Sequence, residues 1–163
     1  SFDGPMAIRY PRGSAHQGLR EYQAPVEYGR SEIIRKGKKI AVLGVGSMIP
    51  SCMEICKGLK DDGYDPTFVN ARFVKPLDVD LLDELAKDHS LFVTVEENVK
   101  SGGYGEHVSA YMEACHPEIR VLSAAVWDRF VPQGNVESLR SRIGLGVEDI
   151  RQAIEDSEEL REQ

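Results

Sequence analysis

Three short segments carry the residues able to do chemistry. The first is Glu96-Glu97-Asn98, followed by Ser101-Gly102-Gly103-Tyr104-Gly105-Glu106-His107. Two carboxylates can serve as an acid and a base when their surroundings push their pKa values apart. Adjacent residues of an extended chain, however, point to opposite faces. Glu96 and Glu97 therefore do not read as one acid–base couple. One of them is expected to cap backbone amides of a neighbouring turn or to pair with Arg72, in a structural or interface role. His107 reads either as a packing or surface residue of the helix that follows or as a polar site group. The second segment is Ala71-Arg72-Phe73-Val74-Lys75-Pro76-Leu77-Asp78. Its arginine, at a strand end, has the planar fork that grips a carboxylate or phosphate; the alternative is an internal ion pair with Glu96 or Glu97. The third is Gly44-Val45-Gly46-Ser47. A glycine turn opening a helix can cradle an anion. The third glycine of a dinucleotide fingerprint is replaced by Ile49, and Asn70 and Arg72 stand where an acidic ribose ligand would be needed. The turn is thus either a tight strand–helix connection or an anion site.

Other reactive side chains are scattered. His16, His89, His107 and His116 show no metal-ligand register, and no serine or cysteine is spaced with a histidine as a nucleophile would be. Cys52 and Cys56 are four apart, share a helix face and read as buried packing. Cys115 makes the count odd, with no CxxC pair, which suits a reducing cytoplasm.

The elements that must position these residues alternate between strand and helix. Glu32–Arg35 and Lys39–Val45 read as two strands around the turn Lys36-Gly37-Lys38. The continuous apolar run from Ile40 to Val45 fits a strand covered on both faces. Ser47 is placed as an N-cap. Met48, Ile49, Cys52, Met53, Cys56 and Leu59 then form one helical stripe, ended by Gly63. Thr67–Val74 reads as the next strand. Asp78 opens a helix with Leu81, Leu82, Leu85 and Ala86 inward. Leu91–Val95 is a third strand. A Gly102-Gly103 turn leads into a helix with Tyr104, Val108, Tyr111, Met112 and Cys115 on one face. Ile119–Leu122 is a last strand. Val136, Leu139 and Ile143, then Val147, Ile150 and Ile154, mark two closing helices, and an acidic tail reads as a solvated, fraying end. This pattern predicts an α/β fold: a three-layer αβα domain with a mainly parallel, roughly five-stranded sheet. Residues 1–30, with Pro5, Pro11 and Pro25 and little periodicity, read as an arm and linker before a domain at 31–163.

The 163 residues suffice for one domain with a core, and 41% hydrophobic with 29% charged residues is ordinary for a soluble protein. A net charge of −7 argues against nucleic acid and against an anionic membrane surface as partners. No apolar run approaches the ~20 residues that span a bilayer. The start at Ser1, without a basic flank or apolar stretch, reads as a cut or processed end rather than a signal peptide.

Several stretches together resemble the 1-deoxy-D-xylulose-5-phosphate synthase family. Gly4-Pro5-Met6-Ala7-Ile8-Arg9-Tyr10-Pro11-Arg12-Gly13 is similar to the end of that family's pyrimidine-binding domain. Residues 71–78 look like its ARFVKPLD segment, and residues 93–98 with 102–105 resemble its TVEEN…GGxG segment, a pattern shared with transketolases and pyruvate dehydrogenase beta subunits. Asp128-Arg129-Phe130-Val131-Pro132-Gln133-Gly134 and Gly144-Leu145-Gly146 resemble its late turn and the link to its last helix. The resemblance implies a transketolase C-terminal-like domain in residues 31–163, with residues 1–30 a remnant of the pyrimidine-binding domain and its linker. It implies a parent enzyme, a cytoplasmic homodimer, that condenses pyruvate with D-glyceraldehyde 3-phosphate and releases carbon dioxide, using thiamine diphosphate and magnesium. The product is a precursor for isoprenoids, thiamine and pyridoxal. Neither the GDG-type motif nor the activating glutamate that hold and activate this cofactor occurs here, so no catalytic, cofactor or metal residue is expected in the chain, which should be inactive alone and partnered by the rest of its own polypeptide. The arginine of the family's YPRG segment, which helps bind the acceptor's phosphate, falls on Arg12; the neighbouring Arg9 has the same chemistry. The alternative implied by the shared pattern is a transketolase or 2-oxoacid dehydrogenase beta-subunit-like module for subunit or partner binding.

Overall fold

The computed structural model describes residues 2–10, 16, 18, 19, 21, 22 and 24–157. Five strands form one sheet: β1 (Glu32–Arg35), β2 (Lys39–Gly44), β3 (Thr67–Asn70), β4 (His89–Val99) and β5 (Arg120–Val126). Their spatial order is β1-β3-β2-β4-β5. All neighbours run parallel except β1, which lies antiparallel to β3. Five α-helices complete the fold: α1 (Ile49–Asp61), α2 (Val79–Ala86), α3 (Tyr104–Cys115), α4 (Val136–Arg142) and α5 (Val147–Glu155).

Strand alternation divides the interior into two cores. Ile40, Val42, Leu91, Val93 and Val95 face α1 and α5, where Cys52, Ile55, Leu59, Ile150 and Ile154 are buried. Ala41, Leu43, Val69 and Phe92 face α2 and α3, meeting Leu82, Leu85, Val108 and Met112. The architecture is therefore three-layered, as the unbroken apolar run of β2 demands: a strand apolar on both sides needs cover on both. The chain leaves β2 for β3 on one side and reaches β4 on the other. Crossovers in opposite directions lie on opposite faces when their hand is constant, so α1 packs on one face and α2 and α3 on the other.

Burial pushes the thiols of Cys52 and Cys56 up, that of Cys56 to about 12, with Arg35 opposing only weakly. Neither is a thiolate at neutral pH, and both are packing groups. Gly63 ends α1 with φ +94°, a conformation suited to glycine.

Two expected strands prove longer, β4 running to Val99 rather than Val95 and β5 to Val126 rather than Leu122, and three other elements differ from expectation. Residues 36–38 do not close a hairpin, because β3 lies between β1 and β2. The link instead crosses the start of β3: Lys38 N–H donates to the Asp65 carbonyl (2.7 Å), and Gly37 N–H to Thr67 Oγ1 (2.9 Å). A Cβ on Gly37 would stand 2.0 Å from the Asp65 oxygen. The third strand ends at Asn70 rather than Val74, since Arg72 takes φ +54° and breaks the extended path. Ser47 is not the N-cap of α1. A 3-10 turn at Gly46–Met48 runs into the helix, Met48 holds the cap position, and Pro50 in the first turn removes one donor that a cap would have served. The acidic tail at Glu158, Glu159 and Glu162 lies outside the described residues.

His89 ties the foot of the sheet together. Its Nδ1 donates to the Leu85 carbonyl at 2.8 Å, so in the neutral ring Nε2 accepts from Thr67 Oγ1 at 2.7 Å. Burial holds its pKa below the ordinary 6.5, against the opposing pull of the Leu85 carbonyl and Asp88. The unfolded chain then binds the proton more readily. The stability this site contributes is complete above pH 6.5 and is lost as pH falls through the folded value. An NMR titration of the His89 ring is expected to show a midpoint below 6.5 with a parallel acid loss of melting temperature; a midpoint at or above it would remove burial as the controlling effect.

Candidate functional site

In open parallel sheets, ligands gather at the carboxyl ends of strands where the winding reverses. Here that place lies between β2 and β4. Gly44-Val45-Gly46-Ser47 leaves one strand, and Glu96 and Glu97 follow Val95, the last residue of the other that pairs with β2.

Glu96 and Glu97 point to opposite faces. Glu96 is 1% exposed. Its Oε2 accepts from Tyr104 N–H (3.0 Å) and its Oε1 from Gly105 N–H (2.7 Å), so both oxygens cap the first turn of α3. The helix begins without a capping side chain of its own, and a negative charge there also meets the positive end of the helix dipole. The glycines around it follow from that approach. A Cβ on Gly103 would lie 2.6 Å from Glu96 Oε1, and one on Gly105 would lie 2.2 Å from Ser123 Oγ and 2.5 Å from Thr94 Oγ1. Gly102 turns the chain at φ +72°. The Glu96…Gly-Gly-x-Gly pattern is thus a docking device for a helix on a strand end. Buried, and with one bond on each oxygen, Glu96 is turned to the helix and not to solvent.

Glu97, on the side of α1 and α4, accepts from both nitrogens of the Arg140 fork (3.0 and 3.1 Å) and from Ser47 Oγ (2.8 Å). Its carbonyl accepts from Arg9 at 3.1 Å. Partial burial raises its pKa, but the bonds from Arg140 and Ser47 and the Arg140 charge outweigh this and hold it below the ordinary carboxylate range. It is a fixed anion, not a proton carrier at neutral pH. The turn before α1 packs closely: a Cβ on Gly44 would meet Cys52 Sγ at 2.8 Å and Ile49 Cδ1 at 2.9 Å.

Arg72 does not pair with Glu96 or Glu97. Its guanidinium reaches away from them to Glu32 Oε2 (2.5 Å) and to the carbonyls of Ala24 and Pro25 (both 3.2 Å). The reason is its backbone. An Ala71 C=O···H–N Phe73 bond closes a three-residue turn around it, and its positive φ turns the side chain toward β1. A non-glycine residue held so costs about 1–3 kcal/mol. His107 is exposed on α3, one turn from Gly103, and takes no part in the cluster. Arg12 lies outside the described residues. The structure thus brings Glu96 and Glu97 to one strand end but separates Arg72 and His107 from them.

Sequence reasoning missed Arg140, Ser47 and Glu32 as the partners of these groups. Arg140 lies 43 residues from Glu97, and no local spacing announces such a pair. It also missed Asp83, whose Oδ1 accepts from Tyr111 Oη and from His116 Nε2, both at 2.8 Å. Those bonds hold Asp83 below its usual range, and Asp83 in turn raises Tyr111 to about 12. Among the described residues, no three His, Cys, Asp or Glu side chains stand together as a metal site, and no helix is long and apolar enough to cross a membrane.

Comparison with known proteins agrees with this geometry. The family model for the transketolase C-terminal domain matches residues 29–150. A 1-deoxy-D-xylulose-5-phosphate synthase from Lachnoclostridium phytofermentans is 41% identical over 150 residues, covering 91% of this chain and 24% of that protein. The synthase from Dictyoglomus thermophilum is 39% identical over 155 residues, covering 94% and 25%. The chain therefore spans about a quarter of the length of these relatives. Among solved structures, a split-gene transketolase described as an inactive beta4 tetramer superposes with a TM-score of 0.78 at 28% identity, covering 84% of this chain and 45% of that one. The αβα sheet with its helix-docking glutamate, and a family match across most of its length, make this chain a member of the transketolase C-terminal domain family.

Proposed function

We propose that this chain is part of a 1-deoxy-D-xylulose-5-phosphate synthase, in which it is a supporting domain rather than the reacting centre. The parent reaction joins pyruvate to D-glyceraldehyde 3-phosphate with loss of carbon dioxide. The observation that carries the supporting role is that the acidic groups at the reversing strand ends are already committed: Glu96 to two amides, Glu97 to Arg140 and Ser47. The choice of synthase rests on the names of the relatives and on the ARFVKPLD-like residues 71–78.

Thiamine diphosphate supplies the carbanion chemistry of such an enzyme. The described residues hold no cluster of three metal-ligating side chains, and Glu96 and Glu97 are already bonded to the protein itself. The diphosphate and its magnesium are assigned to the rest of a longer polypeptide, and the domain's partner surfaces to that polypeptide and to a second copy in a cytoplasmic homodimer. Residues 1–30 would link the domain to the preceding one. Arg12 would contact the phosphate of the aldehyde acceptor, with Arg9 the neighbouring candidate. A guanidinium fork matches a phosphate dianion in charge and shape.

The test is calorimetric titration of the purified chain with thiamine diphosphate and magnesium. No binding heat up to millimolar cofactor is expected; saturable tight binding would refute the assignment. A transketolase-type assembly module is the second reading, supported by the likeness to the split-gene transketolase. Copurification with a separate thiamine-binding subunit would favour it.

A further inference from the structure

We propose that Arg72, together with the Arg30–Asp78–Asp80 group, forms a two-point latch that holds residues 24–32 as a strap against the loop at 71–80 and so sets the direction in which the preceding chain leaves the domain. The inner point is Arg72. Its side chain is 13% exposed and that of its partner Glu32 10%. From this sheltered position it also donates to the carbonyls of Ala24 and Pro25, which belong to no helix or strand. One guanidinium thus fastens three separate points of the incoming chain. The outer point is Asp78. It caps α2 through Leu81 N–H (3.3 Å), and it also accepts from Ser31 N–H (2.7 Å) and from Arg30 (3.0 Å). Arg30 reaches on to Asp80 at 2.6 Å. Between the two points, Ser31 Oγ donates to the Ala71 carbonyl at 3.0 Å, and Tyr28 lies edge-on to Phe73. Gly29, at φ +71°, lets the strap pass Pro76: a Cβ there would stand 2.9 Å from Pro76 Cγ.

The strained backbone of Arg72 is what marks this as a device. A glycine would take that φ without strain, so the fold tolerates an arginine there for what its side chain does. A surface loop held by so many side-chain bonds, yet lacking strand pairing of its own before Glu32, is a local unit that can open without the sheet opening.

The experiment is hydrogen exchange of the full chain and of its Arg72→Gly, Arg72→Lys and Arg30→Gln variants. Arg72→Gly relieves the backbone while deleting the side chain, so the global melting temperature should change little. Exchange of the two bonded amides of the strap, Arg30 N–H (to the Glu27 carbonyl) and Ser31 N–H (to Asp78), should nevertheless rise at least tenfold, with β2 and β4 unchanged. Arg72→Lys should release the strap nearly as far, because an ammonium cannot bond all three acceptors at once. Arg30→Gln should give a smaller rise in the same amides. Unchanged exchange of these two amides for Arg72→Gly would overturn the latch. So would a rise of equal size in β2 and β4, which would mean the arginine only stabilises the whole domain.

Discussion

Glu96→Ala is expected to lower stability by about 3 kcal/mol, because it removes the acceptor of two buried amide donors, at Tyr104 and Gly105. For a domain of this size that is a fall in melting temperature of about 10 °C. Glu96→Gln should recover little. One amide oxygen can still accept, but the new NH2 then faces the second N–H, and the favourable charge at the helix N-terminus is gone. Chemical denaturation of the two variants, read by far-ultraviolet circular dichroism, checks this. A loss below about 1 kcal/mol for both would mean the glutamate is not the cap of α3 and would leave it open to a catalytic role.

Gly105→Ala is the second large effect, and two opposing terms decide its sign. Alanine gains about 1 kcal/mol over glycine inside a helix. Against this, the added Cβ would sit 2.2 Å from Ser123 Oγ and 2.5 Å from Thr94 Oγ1, both on the sheet beneath. Neither neighbour is the far end of a flexible chain, so the helix must lift, and overpacking of this kind costs about 3 kcal/mol. Net destabilisation of about 2 kcal/mol is expected. The double variant Gly105→Ala/Ser123→Gly should recover part of it, and the coupling measured in that cycle reports the contact directly. A stabilised Gly105→Ala variant would show that α3 does not dock as closely as the distances indicate.

These two residues also show what was legible in the chain. The adjacency of Glu96 and Glu97 was enough to separate their faces, since strand alternation is local. That one would cap a neighbouring turn was one of two open readings; the other, a pair with Arg72, fails because Arg72 is drawn to Glu32. The β2 run and the periodic stripes of α1 and α2 gave the layers, because burial on both faces leaves a continuous apolar signature. Long-range partners left no such trace. Arg140 meets Glu97 only after α4 has returned to the sheet, and Glu32 meets Arg72 only because β1 takes the edge beside β3. The misplaced end of β3 has the same origin: Phe73 and Val74 are strand-forming by type, but the turn around Arg72 that feeds the latch overrides propensity. Ser47 looked like a cap from its neighbours, yet its hydroxyl is drawn to Glu97 fifty residues on.

The reading of this chain as a supporting domain meets its most direct test in turnover. The purified 163-residue protein would be supplied with pyruvate, D-glyceraldehyde 3-phosphate, thiamine diphosphate and magnesium, and release of carbon dioxide from labelled pyruvate followed. No release above the protein-free rate is predicted. Sustained release that scales with protein concentration, and that is lost in a Glu97→Gln variant, would place a working catalytic centre at the strand ends and contradict the account.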